Sequence, residues 1–212
     1  MRKQLRLAVA AFALATVALP ARAQSFLMGS LETIRPGNLR MIGAPVHMFG
    51  PDGRPDRTGG AFRLGYGLNE SFGLEGKAAF FDGVTLVGGD GHFRLLDGDT
   101  RLSLGIGGHQ AVMSSAPDST ALDLAAELRT RLERRLDLYA GTSLSYEFVD
   151  GAEGSDFARV YLVPGLRYAI GDRAFLMLEA GVGLNDDSPH YVSAGVALRV
   201  PVSASARGRE KR

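Results

Sequence analysis

Aspartate and histidine side chains are frequent on the side of the predicted barrel where the longer connections lie. They are Asp82, Asp90, His92, His109, Asp150, Asp156, Asp186, Asp187 and His190. Carboxylate and imidazole groups can perform general acid–base chemistry, and clustered carboxylates can bind calcium. If they share one rim, Asp186, Asp187, His190 and His109 are the residues of a rim-site hydrolase. Because loops are ordinarily polar, we predict instead that they solvate the rim, with no catalytic residue, metal ion or cofactor.

A nucleophile is also hard to place. The chain has no cysteine, which excludes thiol catalysis, disulfides and zinc-thiolate sites. Ser143 and Ser145 have the parity of inward-facing strand residues, but no histidine is predicted at their level. The sequence therefore gives no support to a serine hydrolase.

The elements that must position these residues are strands with strict alternation. In residues 119 to 148, two runs place an apolar residue at every second position: Leu122, Leu124, Ala126 and Leu128 in the first, and Leu138, Ala140, Leu144, Tyr146 and Phe148 in the second. Successive side chains of a strand point to opposite faces, so each run has one apolar and one charged face. Residues 121 to 138 could alternatively form an amphipathic helix, but alternation fits more positions.

The same period recurs along the chain, and connections of two lengths separate the strands. Short turns are predicted near 69–71, 97–100, 133–134 and 171–173, and longer segments near 48–60, 82–90, 113–118, 149–156 and 185–189. This rhythm predicts an all-β, antiparallel, up-and-down transmembrane barrel of ten strands. Eight strands remain the alternative, because 41–48 alternates poorly and 84–97 contains Gly88, Gly89 and Gly91.

The N-terminus has the pattern of a secretory signal peptide. Arg2, Lys3 and Arg6 precede an apolar stretch over 7–19, and Ala21, Arg22 and Ala23 complete a cleavage site. We predict a signal peptide over 1–23, a barrel over 24–202 and a polar, basic tail over 203–212. Removal of the leader leaves 20 basic and 23 acidic residues, a formal charge of about −3. Such a balance does not predict nucleic-acid binding.

Strand period alone does not decide whether the apolar faces meet lipid or a soluble core, so a soluble periplasmic binding barrel remains an alternative. Strand lengths of 10 to 14 residues favour apolar faces that contact lipid, since a tilted strand needs about 9 to 11 residues to cross a bilayer. Fifteen charged side chains then face the lumen: Arg63, Glu75, Lys77, Arg94, Arg101, Asp123, Glu127, Arg129, Arg131, Asp137, Glu147, Arg159, Arg167, Glu179 and Arg199. Opposite charges in a narrow barrel would pair and plug it.

Four segments carry a resemblance to a known class: 31–40 (LETIRPGNLR), 65–84 (GYGLNESFGLEGKAAFFDGV), 162–188 (LVPGLRYAIGDRAFLMLEAGVGLNDDS) and 190–198 (HYVSAGVAL). The chain resembles small bacterial outer-membrane β-barrel proteins, whose functions are mixed. The resemblance implies an integral barrel of the outer membrane, with outer-membrane lipid and the barrel-assembly machinery as partners and an unknown ligand. We expect a non-enzymatic, structural or surface-interaction role; a narrow channel or small-solute transporter is the alternative.

Overall fold

The structure is a computed structural model, and it describes residue 31 and residues 34–50, 55–114, 116–151 and 156–202. The predicted signal peptide (1–23) and basic tail (203–212) lie outside these residues, as do residues 24–30 of the predicted barrel segment. No helix of the described residues is long and apolar enough to cross a membrane.

Ten strands account for most of the described chain. They are β1 (Asn38–Met48), β2 (Arg57–Gly67), β3 (Phe72–Phe81), β4 (Val84–Leu96), β5 (Thr100–Met113), β6 (Ser119–Glu133), β7 (Leu136–Val149), β8 (Phe157–Ala169), β9 (Ala174–Gly183) and β10 (Tyr191–Pro201). Each pairs antiparallel with its neighbours in sequence, and β1 pairs with β10 from Asn38↔Pro201 to Met48↔Tyr191. The closed ten-stranded barrel confirms the prediction of ten strands, and the eight-stranded alternative is wrong.

The polarity of the wall is that of a barrel in lipid. On β6, Leu122 and Leu124 are exposed on the outer surface, whereas Asp123 between them is buried inside. Large apolar side chains are exposed on the outside of every strand, and the buried polar side chains include arginines, carboxylates and histidines. An outward apolar band around a polar interior characterises transmembrane barrels. The chain is thus an antiparallel up-and-down transmembrane β-barrel, and residues 121–138 belong to β6, β7 and the turn between them instead of a helix.

The connections divide the barrel into two ends. At one end, which we call the turn end, residues 68–71, 97–99, 134–135 and 170–173 join strands, and β1 begins and β10 ends there. The opposite loop end has longer connections at 49–56, 114–118, 150–156 and 184–190.

The prediction of a loop over 82–90 is wrong. Asp82 and Gly83 alone join β3 to β4. Gly83 has φ of +69°, a conformation that glycine adopts without steric cost. Because the hairpin is this tight, Gly88, Gly89 and Gly91 lie within β4. The predicted loop over 48–60 also shortens, since β2 begins at Arg57.

Candidate functional site

Charged side chains inside the barrel form a continuous chain of contacts that crosses the lumen. We call it the central charge chain, and its members are Arg40, Glu75, Arg63, Asp90, Lys77, Asp123, His109, Glu147 and Arg159. They come from β1 to β8, and β-pairing places most of them near one level. In this set, four carboxylates are matched by four arginine or lysine side chains.

The chain begins with a carboxylate held by two arginines. Arg40 Nη2 on β1 and Arg63 Nη1 on β2 each lie 2.7 Å from a different oxygen of Glu75 on β3. All three side chains are almost completely buried. Hydrogen bonds to an ionised partner are the strong ones in proteins, and both oxygens of this carboxylate have one.

Backbone pairing places two carboxylates directly opposite each other. Glu75 on β3 pairs with Asp90 on β4, and like charges in such positions repel. Arg63 contacts both groups, with Nη2 3.7 Å from Asp90. Lys77 Nζ lies 2.7 Å from Asp90 Oδ1 and 2.6 Å from Asp123 Oδ2 on β6. The cations therefore offset the repulsion and tie β3, β4 and β6 together.

His109 continues the chain and lies inside the barrel, so its assignment to the rim is wrong. Its Nδ1 lies 2.8 Å from Asp123 Oδ2, and its Nε2 lies 3.9 Å from Glu147 Oε1. Arg159 Nη1 is 3.2 Å from the same Glu147 oxygen, and the Ser119 hydroxyl donates to the other oxygen at 2.6 Å. The reason is that His109 shares the parity of Ser103 and Ala111, whose side chains on β5 are buried inside the barrel.

Glu75, Asp90 and His92 present ligand atoms within 4.8 Å of one another, the spacing of a metal site. Arg63 and Lys77 already contact these carboxylates. Their positive charges already neutralise the two carboxylates, as a metal cation would. The three side chains therefore do not favour binding of a metal ion.

The interior also contains the residue types of a hydrolase. The His109 Nδ1–H donates to Asp123 Oδ2 at 2.8 Å, and Ser145 pairs with Asp123 across β6 and β7. The Ser145 side chain is fully buried, and its hydroxyl has no hydrogen-bond partner in the described part of the chain. A nucleophilic serine needs a base within hydrogen-bond reach and access for substrate. This geometry supplies neither.

Tyrosines fill the lumen on the side of β7 to β10. The hydroxyls of Tyr139 and Tyr191 donate to the two oxygens of Glu179 at 3.2 and 2.7 Å. The rings of Tyr161 and Tyr191 lie 5.7 Å apart in an edge-to-face arrangement. A side chain at inward-facing Gly181 would overlap the Tyr191 ring, with 1.8 Å between its Cβ and the nearest ring atom. The missing side chain therefore makes room for the ring.

A segment that precedes β1 occupies the lumen from the turn end. We call Leu31 and Ile34 to Pro36 the N-terminal lumen segment. Leu31 and Ile34 are 2% and 4% exposed, and the Leu31 N–H donates to Glu127 Oε2 at 3.0 Å. A Cβ at Gly105 would lie 2.7 Å from Leu31, and one at Gly65 would lie 2.4 Å from Ile34. Inward-facing glycines thus create the space that this segment fills.

A polar cavity opens at the turn end beside this segment. We call it the turn-end vestibule; its volume is about 530 Å³. Four carboxylates line it, Glu70, Asp97, Glu127 and Asp137, together with nine arginines: Arg35, Arg94, Arg101, Arg129, Arg131, Arg134, Arg135, Arg167 and Arg199. Among the residues that the structure describes, nine positive and four negative groups leave an excess of five positive charges. The loop-end cavity, about 290 Å³, has two arginines and two carboxylates in a mostly apolar lining.

The fifteen residues predicted for the lumen fall into three groups. Six are in the central charge chain: Arg63, Glu75, Lys77, Asp123, Glu147 and Arg159. Eight line the turn-end vestibule: Arg94, Arg101, Glu127, Arg129, Arg131, Asp137, Arg167 and Arg199. Glu179 binds the tyrosines. Arg131 departs from the prediction, since its side chain is 53% exposed at the mouth.

The remaining rim candidates stay at the loop end, in the connection 184–190. Asp187 lines the loop-end cavity with Glu147 and Arg159. Asp186 is exposed. His190 Nδ1 accepts a hydrogen bond from the Gly183 backbone N–H at 3.0 Å, so this ring nitrogen has a structural partner.

Sequence reasoning missed Arg40, Asp90 and His92 as interior residues. The sequence predicts Asp90 in the loop 82–90 and His92 on the loop side, but both have the parity opposite to Val87 and Phe93, which face outward. That parity was the available signal. Arg40 lies on the strand whose alternation is weakest.

No protein-family model matches this sequence, and no curated protein sequence matches it. Among solved structures, the outer membrane protein OprG from Pseudomonas aeruginosa is 14% identical, with 79% of this chain and 97% of that chain aligned and a TM-score of 0.43. A loop-deletion mutant of OmpT, an outer membrane protein of Vibrio cholerae, is 12% identical over 85% and 70% of the two chains, with a TM-score of 0.42. Ail, the attachment invasion locus protein of Yersinia pestis, is 14% identical over 78% and 99%, with a TM-score of 0.34. OprG and OmpT are both outer membrane proteins, and a designed transmembrane β-barrel is also among the similar structures.

Proposed function

We propose that this protein is a non-enzymatic outer-membrane barrel whose lumen is closed, with a structural or surface-interaction role. The observation that carries the proposal is the central charge chain. It runs from Arg40 on β1 to Arg159 on β8, and its ion-paired side chains are at most 17% exposed. An open aqueous pore would hydrate these groups. Here they contact one another instead.

Two further features support closure. The N-terminal lumen segment fills space beside Gly65 and Gly105, and tyrosines occupy the side near Glu179. Barrels of this size have interiors that side chains can fill. The buried position of Asp123, His109 and Ser145 supports a non-catalytic interior, because a substrate would have to displace the ion pairs to reach them.

The proposal includes a location in the outer membrane and two partners, which the outer surface supports. The apolar exterior supports contact with outer-membrane lipid, and an integral barrel there requires the barrel-assembly machinery. Recovery in the outer-membrane fraction, with a mobility difference between unheated and boiled samples in detergent gels, tests this part. Recovery in the soluble periplasmic fraction would contradict it.

Single-channel recording in planar bilayers tests closure. The refolded protein without residues 1–23 should give no stable conductance steps. The variant Glu75→Ala with Lys77→Ala removes the middle of the central charge chain and should give small steps. Leu178→Ala on the lipid-facing surface is the matched control and should remain silent. Stable steps from the unmodified protein would contradict a closed lumen.

A narrow, gated channel is the second candidate function. The observation that favours it is the presence of cavities of about 530 and 290 Å³ at opposite ends of the lumen. The central charge chain and the tyrosines lie inside the lumen between the two ends. Voltage-dependent steps in the unmodified protein would favour this reading.

A further inference from the structure

We infer that the turn-end vestibule binds a soluble polyvalent anion, a small molecule that carries several phosphate or carboxylate groups. This inference concerns a site that the closed-lumen proposal does not use. Conductance and anion binding are separate measurements, so either proposal can fail without the other.

The excess of positive charge inside the barrel lies at the turn end. The central charge chain has four carboxylates for its four arginine and lysine side chains, and the loop-end cavity has two of each sign. The turn-end vestibule has five more arginines than carboxylates. A concave site lined by one sign of charge concentrates ions of the opposite sign. The excess is therefore local to one mouth.

Several arginines of the turn-end vestibule share their carboxylate partners. Arg94 and Arg101 share one carboxylate, Asp97, at 2.6 and 3.1 Å. Arg131 and Arg167 share another, Asp137. Each guanidinium has five N–H donors. Four guanidinium groups therefore face two carboxylates in this part of the lining, which contributes to its positive excess.

Three other arginines at the mouth have no carboxylate partner among the described residues. These are Arg35, in the N-terminal lumen segment, and Arg134 and Arg135, in the turn between β6 and β7. All three are exposed. Because all three line one cavity, an anion bound there would reduce the repulsion between their positive charges.

The size and the arginines of the turn-end vestibule indicate the chemical class of its ligand. The volume of about 530 Å³ lies within the roughly 300 to 1,000 Å³ typical of small-molecule sites. Guanidinium forks bind phosphate and carboxylate in two-point geometry. An excess of five charges matches a ligand with several negative groups better than a monovalent ion. The vestibule lies inside the mouth, so a soluble anion reaches it more readily than a lipid headgroup.

Isothermal titration with tripolyphosphate, on the refolded protein without residues 1–23 in zwitterionic detergent at low salt, tests the site. We expect saturable binding that weakens as salt is added. The triple variant Arg35→Gln, Arg134→Gln, Arg135→Gln should weaken it about tenfold to a hundredfold. Gel mobility before and after boiling verifies that each variant is folded.

A matched pair of single variants separates the vestibule from general charge. Arg135→Gln at the turn end should weaken binding, whereas Arg57→Gln in the lining of the loop-end cavity should leave it unchanged. Equal weakening by both variants, or no binding to the unmodified protein, would overturn the proposal. Anionic phospholipid added to the micelles should not compete with tripolyphosphate. Competition would mean that the vestibule binds lipid headgroups and would overturn the soluble ligand.

Discussion

The Nζ of Lys77 on β3 lies 2.6 Å from Oδ2 of Asp123 on β6, although two other strands separate them along the barrel wall. This contact crosses the interior instead of following the hydrogen-bonded sheet. It couples parts of the wall that no backbone hydrogen bond joins directly.

Lys77→Met should destabilise the barrel by about 3 to 5 kcal/mol, because it leaves the Asp90 and Asp123 carboxylates buried without this cation. Unfolding in guanidinium chloride, followed by the fraction that keeps the mobility of the folded form, measures the loss. Adding Asp123→Asn to the variant should recover part of it, since one uncompensated charge is removed. Additive losses in the double variant would show that the two residues are not coupled.

Gly105→Leu should displace the N-terminal lumen segment, because the new side chain would occupy the space of Leu31. The chain has no cysteine, so a single Leu31→Cys substitution reports exposure through its rate of reaction with a water-soluble maleimide. That thiol should react slowly in the otherwise unmodified barrel and rapidly with Gly105→Leu.

Gly76→Leu is the control for this experiment. Gly76 faces outward, and a Cβ there would meet no side chain within 4 Å. The reaction rate at position 31 should therefore stay slow. A fast rate in the unmodified background would contradict the burial of Leu31.

Leu178→Arg should cost about 2 to 4 kcal/mol in lipid vesicles, because Leu178 is exposed midway along β9 on the lipid-facing surface. Leu68→Arg, just beyond β2 at the turn end, should cost only about 0 to 1 kcal/mol. Equilibrium unfolding of both variants measures this dependence on depth. Equal, small costs would indicate that water, and not lipid, covers the outer surface.

Arg94→Gln should raise the pKa of Asp97, in the turn between β4 and β5. Desolvation raises this pKa, but the hydrogen bond and charge of Arg94 and the charge of Arg101 outweigh it, so the pKa lies below its ordinary value. Because the folded pKa is lowered, the stabilisation exists above the pKa of the unfolded chain and is lost as pH falls through the folded value. NMR titration of the Asp97 carboxyl measures the shift, with Arg173→Gln in another turn as the control.

The sequence predicted the wall better than the contents of the lumen. Alternation in residues such as Leu122, Asp123 and Leu124 reports which face of a strand meets lipid, because the period depends only on backbone geometry. Strand count, chain direction and the two ends followed from this period and from the turns. The structure of residues 84–96 was harder to predict. Its glycines are typical of a loop, but in the barrel Gly88 leaves room for His109 on the neighbouring strand.

Pairing inside the lumen could not be predicted at the same level. Parity assigns Lys77 and Asp123 to the interior but does not say that they meet, since that depends on the register of three successive strand pairs. The N-terminal lumen segment left no periodic signal at all. Its position depends on gaps opposite Gly65 and Gly105, which are properties of the closed barrel.

The central charge chain also constrains the order of assembly. While β1 and β10 are still apart, a partly formed sheet that entered the bilayer would expose Glu75, Lys77 and Asp123 to hydrocarbon on its unfinished inner face. The final seam joins residues as distant in sequence as Asn38 and Pro201. Insertion and closure must therefore proceed together, with the charged face sheltered by water or by another protein until the last strand is paired.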